Sequence, residues 1–213
     1  MFDLLKKFWE RLYFVYWKWK IGVQASKWSI KYDQDIAKYK ILKNTDLSDI
    51  PDKELEWAVE VWLTHGKFTE VNGDWIDAYE VVASLPKPCQ DVYSTIAVTQ
   101  DVMNGGFYQL FANPSGQFAE MSIDGFIAIG SPKLSDLVKK AMTLYQQNKQ
   151  IVDVRYDAVR DAMKDGISQK NFYEASPNEL DTAFTELNEA FFAYDDAIDY
   201  AKYIRQNADC FGD

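Results

Sequence analysis

The chain has 213 residues, 47% hydrophobic and 26% charged, a composition that excludes wholesale disorder and suits one domain with an appendage or two small domains. Two cysteines, Cys89 and Cys210, are too few for a disulfide framework or a zinc cage, and one histidine, His65, leaves a single candidate for histidine-dependent catalysis. The net charge of −10 is uneven: residues 1–43 carry ten Lys/Arg against four Asp/Glu, whereas residues 44–213 carry thirteen against twenty-nine. So acidic a body repels phosphate backbones, which argues against direct nucleic-acid binding, and it attracts basic partners.

The first twenty residues have no uncharged run longer than Leu12–Trp17, far short of a spanning helix, and no signal-peptide pattern. A cytoplasmic protein with reduced thiols is therefore expected. Leu5, Phe8, Leu12, Tyr16 and Trp19 form an apolar stripe at helical spacing, widened by Trp9, Tyr13 and Val15. Lys6, Lys7, Arg11 and Lys18 sit away from it, while Phe14 and Trp17 fall on the polar side. Such a helix packs against its own acidic body, joins two copies as a homodimer or lies in a membrane interface, in that order of expectation. Lys27–Lys43 repeats the pattern with Trp28, Ile30, Ile36, Tyr39 and Leu42, so residues 1–43 read as a basic, aromatic helical arm before an acidic domain at 44–213.

The domain proper opens with an expected helix over 47–63, with Pro51 suited to a first turn, Leu55, Val59, Trp62 and Leu63 on one face and Gly66 as its stop. Residues 68–76, with Asn72-Gly73 between apolar residues, fit a small hairpin or a loop. Helix resumes over about 76–85, breaks at Pro86 and Pro88 and runs again from about Gln90 to Met103. Ser131 and Pro132 form a helix start after Gly130, and Leu134, Leu137, Val138, Ala141, Leu144 and Tyr145 give the following helix its buried face. Ile151–Met163 is helical, with Gly166 as its stop. Ser176-Pro177-Asn178-Glu179 is a capping box with proline at the first helical position. Leu180, Phe184, Leu187, Phe191, Tyr194, Ile198 and Ala201 then predict one continuous last helix ending near Asn207. Its other faces carry Glu179, Asp181, Glu186, Glu189, Asp195, Asp196 and Asp199, with no Lys or Arg between Ser176 and Tyr200. The fold class expected is all-α.

The most distinctive stretch is Asn104-Gly105-Gly106-Phe107-Tyr108-Gln109-Leu110-Phe111-Ala112-Asn113, followed by Pro114, Ser115 and Gly116. Two adjacent glycines end the preceding helix where positive φ or close approach is needed. Phe107, Leu110 and Phe111 then reach the core, while Gln109, Asn113 and Ser115 satisfy backbone groups at turns. No strand, lysine or further glycine supports a phosphate cradle, so a structural turn is the better reading.

These residues resemble the signature N-G-G-F-x-Q-x-F-x-N of the bacterial helical family of the Neisseria DNA-mimic protein. The resemblance runs from about Asp49 to Cys210, with Ile50-Pro51-Asp52-Lys53-Glu54-Leu55, Ile127-Ala128-Ile129-Gly130 and Tyr203-Ile204-Arg205-Gln206-Asn207 as further matches. Met103 departs from it, standing where the family more often has a polar or acidic residue. The resemblance implies an acidic surface that imitates the charge array of duplex DNA and engages a DNA-binding protein.

Physical chemistry permits this, because carboxylates three or four residues apart on a helix lie about 5–6 Å apart, a spacing a DNA-reading surface accepts in place of phosphates. Glu186 with Glu189, and Asp195 or Asp196 with Asp199, form such pairs; the bland reading is a solvated acidic face. Enzyme readings fare worse. His65 beside Gly66 suits a surface cap on a helix end, and Cys89 near a helix start has a position that lowers a thiol pKa but no histidine beside it. Cys210 has no partner pattern. Asp195 and Asp196 offer oxygens for Mg²⁺ without a converging ligand set. The seven tryptophans read as core or interface. The function expected is a non-enzymatic binding module, with no metal or cofactor, whose Glu179, Asp181, Glu186, Glu189, Asp195, Asp196 and Asp199 engage a basic protein such as a transcription factor. The alternatives are an immunity-type inhibitor of a toxin such as a nuclease, and a peripheral membrane or scaffold protein using the arm.

Overall fold

The computed structural model describes residues 29–67, 75–167, 179–194 and 198–212. The stripe within residues 1–20, most of the expected hairpin, the Ser176–Asn178 part of the capping box, and Asp195 and Asp196 lie outside them. Among the described residues every regular element is helical, so the fold is all-α. Helix α1 covers 29–39 and turns Tyr39 and nearby Leu42 into the core, while Ile30 of the expected apolar set stays exposed. Trp57 Nε1 donates to Asp35 at 3.0 Å, and the Tyr39 hydroxyl donates to Glu54 at 3.2 Å, so α1 is fastened to the next helix.

The helix expected over 47–63 is divided. A 3₁₀ turn, Asn44–Asp49, leads to extended Ile50, and α2 spans Asp52–Val61 with Pro51 just before it. Proline disfavours helical backbone at the residue before it, so the break falls at Ile50. Beyond Val61 a wider π-helical turn, Trp62–Lys67, carries the chain past Gly66. Helix α3 (Trp75–Ser84) begins inside the expected hairpin, so residues 75 and 76 are helical.

Helix α4 spans Lys87–Ala112. Pro88 does not break it, because within the first turn its missing N–H has no intrahelical acceptor to satisfy. The backbone leaves helical geometry only at Gly105 and Gly106, the latter at φ 77°, and then resumes through Phe107–Ala112. A 3₁₀ turn, Pro114–Phe118, leads into α5 (Ala119–Ile129). Ser131 then precedes α6 (Pro132–Lys164), whose two arms, kinked at Asn148, correspond to the two helical stretches expected there. Gly166 takes positive φ beyond its end.

The expected continuous last helix is two: α7 (Glu179–Phe192) and α8 (Tyr200–Gln206). Asp199 explains the restart, since its carboxylate accepts the Lys202 N–H at 2.9 Å and caps α8. Two apolar clusters form the core. Tyr39, Leu42, α2, the first half of α4 and the C-terminal Tyr200, Ile204 and Phe211 make one. The second half of α4 with α5, α6 and α7 makes the other, centred on Phe107, Phe126, Phe184 and Phe191. Each fully buried phenylalanine contributes about 1.5–3 kcal/mol of transfer free energy. Helix α4 runs through both clusters and joins them.

Candidate protein-binding face

Helix α7 places its charges according to its apolar stripe. Phe184 and Phe191 are buried, which leaves Glu179, Glu186 and Glu189 exposed. No Lys or Arg occurs within α7, and one turn of helix separates Glu186 from Glu189. Asp199 is also exposed, though its carboxylate is engaged as the α8 cap.

Asp181 does not join that face. It is 7% exposed, accepts the Tyr108 hydroxyl at 3.0 Å and pairs with the Arg155 guanidinium, whose Nε lies 3.3 Å from Oδ1. The reason is its position three residues before Phe184, which turns it toward α4 and α6. It ties three helices together, and its charge is committed inward. The exposed acids of α6 are partly offset: Lys149 pairs with Asp153 at 2.6 Å and Lys164 with Asp161 at 2.9 Å.

The signature residues hold turns and contacts. Asn188 of α7 accepts the Phe107 N–H through Oδ1 at 2.9 Å, serving the helix that resumes after Gly106. A Cβ on Gly106 would stand 2.5–2.9 Å from the Asn188 amide group, so this position takes glycine for both conformation and space. Phe107 is fully buried, and Phe111 stacks on Tyr145 with ring centroids 4.4 Å apart. Asn104 is exposed. Gln109 and Asn113 donate to Asp101 Oδ1 at 3.3 and 2.9 Å, so these amides hold a carboxylate where the sequence predicts bonds to turn backbone, and Asn113 makes no side-chain cap bond to the turn that follows. Asn188 and Asp101 carry no local sequence signal, because their partners are brought to them by the fold.

The other candidates separate cleanly. The Cys89 thiol is buried, donates to the Cys210 carbonyl at 2.9 Å and is pushed up to about 12 by burial, the reverse of the lowered pKa its helix-start position suggested. Burial removes the water that a thiolate needs, and this outweighs the helix dipole. Both cysteines are free thiols. His65 is half-buried, with Nε2 3.2 Å from the Tyr32 hydroxyl. Among the described residues no group of three or more His, Cys, Asp or Glu side chains converges as a metal site, and no helix is long and apolar enough to cross a membrane. Trp62 is core and Trp57 half-buried.

Two further matches to the family pattern, far apart in sequence, meet in space. Arg205 Nε donates to Asp52 at 2.7 Å, while its other nitrogens reach the carbonyls of Leu47 and Ile50 at 2.9 and 2.7 Å. The C-terminal α8 is thereby locked onto the turn before α2.

An all-α body with an acidic outer helix and signature residues spent on turns defines a helical scaffold that presents charge on its surface. The family profile for "DMP19-like protein" matches residues 83–207, and the chain belongs to that family, the DNA-mimic proteins. That family is not a known enzyme family. The match covers α4 through α8, including the whole signature and α7. No curated protein and no solved structure matches the chain.

Proposed function

We propose that the chain is a non-enzymatic binding module whose exposed acidic residues take the place of DNA phosphates before a basic, DNA-binding protein. The observation that carries this is α7: Glu179, Glu186 and Glu189 are exposed on a helix without a single Lys or Arg, within a chain of the DNA-mimic family. Carboxylates on a rigid helix offer fixed negative charge at the spacing of one turn, and attraction to a basic surface speeds encounter and weakens with salt. Asp181 is not part of this face, and Asp199 contributes charge only beyond its capping bond.

The test is capture of a DNA-binding protein from the native lysate at low salt, with duplex DNA as competitor. Wild type is compared with Glu179→Gln/Glu186→Gln/Glu189→Gln. Capture of one such protein that duplex DNA displaces, and that the triple variant loses, is the expected result. Equal capture by both proteins, or no displacement by DNA, overturns the reading. A captured nuclease inhibited by the chain would instead favour an immunity-type inhibitor.

A further inference from the structure

A cleft of about 460 Å³ lies where α2 and its π-helical turn meet α4 and the Pro114–Phe118 turn, with Glu60, Thr64, Tyr93, Gln100, Asp101 and Asn113 among its lining. Its two carboxylates are held in a similar way. Gln100 Nε2 donates to Glu60 Oε1 at 2.9 Å, while Gln109 and Asn113 both donate to Asp101 Oδ1. The amides thus hold each carboxylate through one oxygen. Among the described residues no basic side chain lines the cleft, and Ile96, Ala97 and the Tyr93 ring supply an apolar wall. His65 is not among the lining residues; its Nε2 lies 3.2 Å from the Tyr32 hydroxyl, and its charge reaches Glu60.

We infer that this cleft binds a guanidinium or alkylammonium group carried on a short apolar chain. A cation with several N–H donors complements two carboxylates held in place, and ion pairing combined with hydrogen bonding is strong in a partly desolvated site. The apolar wall takes the methylene stem. The assignment also gives Gln109 and Asn113 of the signature a purpose beyond turn formation, since they position Asp101 at the cleft. It stands on the cleft alone and does not require the α7 face to bind a partner.

The probe is agmatine, titrated calorimetrically into the full chain, with neutral N-butylurea as a control. Saturable agmatine binding, weakened about tenfold or more by Glu60→Gln, is expected, with no binding of the urea. On wild type, NMR of the side-chain amides of Gln100 and Asn113 should show shifts that saturate with agmatine, a readout that does not depend on any variant folding. Absence of saturation at agmatine concentrations on the order of 10 mM, unchanged affinity in Glu60→Gln, or unmoved amides overturns the proposal. Capture of the DNA-displaceable partner by Glu60→Gln distinguishes the source of the cation. If capture persists while agmatine binding is lost, the cleft serves a free ligand; if both are lost, it receives an Arg or Lys side chain of the partner. Agmatine binding with no partner captured by wild type leaves the cleft standing and removes only the α7 reading.

Discussion

Asn188 reaches from α7 to accept the backbone N–H of Phe107 at 2.9 Å, 81 residues away in the chain, across the two glycines that interrupt α4. The side chain serves a helix start that no neighbouring residue caps, and it occupies the space that any Cβ on Gly106 would need. The signature glycines, the buried Phe107 and the acidic helix are therefore one mechanical unit.

Gly106→Ala should be markedly destabilising. It combines positive φ with a clash against Asn188, and strain of this kind costs about 1–3 kcal/mol. Asn188→Ala should cost about 1 kcal/mol through the lost acceptor. Thermal unfolding of the two single variants and the double variant measures their coupling. In the double variant the clash is relieved, so the costs should sum to less than the two singles.

Asp181 and Glu186 lie on the same helix and should behave oppositely. Asp181→Ala removes the carboxylate that accepts from both the Arg155 guanidinium and the Tyr108 hydroxyl, and should cost about 1–3 kcal/mol. Glu186→Gln on the exposed side should change stability by no more than about 0.5 kcal/mol. Urea unfolding of each variant checks both values and identifies which acids of α7 are free to serve a partner.

Glu60 predicts a pH signature. Burial raises its pKa above the ordinary 4.5, against the opposing effects of the Gln100 hydrogen bond and the His65 charge. Burial, reinforced by repulsion from Glu60, raises Glu56 in the same direction. A carboxyl that holds its proton more tightly in the folded state loses relative stability as pH rises from the unfolded value through the folded one. Glu60→Gln, which keeps an acceptor for Gln100, should therefore be at least as stable as wild type at neutral pH. Its advantage should shrink as pH falls through the glutamate range, which urea midpoints at a series of pH values will show.

The thiols should differ in reactivity. Cys89, fully buried and with its pKa pushed up to about 12, should resist a thiol reagent at mildly alkaline pH, while half-buried Cys210 reacts. A colorimetric thiol assay should find one reactive group in the native protein and two after denaturation.

Helical periodicity showed the all-α class and the inward faces of Leu134–Tyr145 and of Phe184 and Phe191, and the glycine pair showed the interruption of α4. It overran at the end of the chain, because the alternation of four and three continues arithmetically from Tyr194 to Ala201 although the helix does not. The signal for the restart is Asp199, which caps α8 and which periodicity reads as surface charge. The stripe and the charges of one helix were legible because both follow from position on a single cylinder. Which acid turns inward was not: Asp181 is decided by Arg155 and Tyr108, on other helices, and Arg205 by carbonyls over 150 residues away. The cleft was likewise invisible, since Glu60 and Asp101 meet only once α2 lies beside α4.

The most direct measurement of the central claim is the affinity of a captured DNA-binding partner for wild type and for Glu179→Gln/Glu186→Gln/Glu189→Gln, across a salt series with duplex DNA as competitor. The account predicts affinity that falls steeply with salt, competition by DNA, and loss of binding in a triple variant that remains as stable as wild type. Undiminished binding by the stable triple variant, or indifference to DNA and salt, would contradict it.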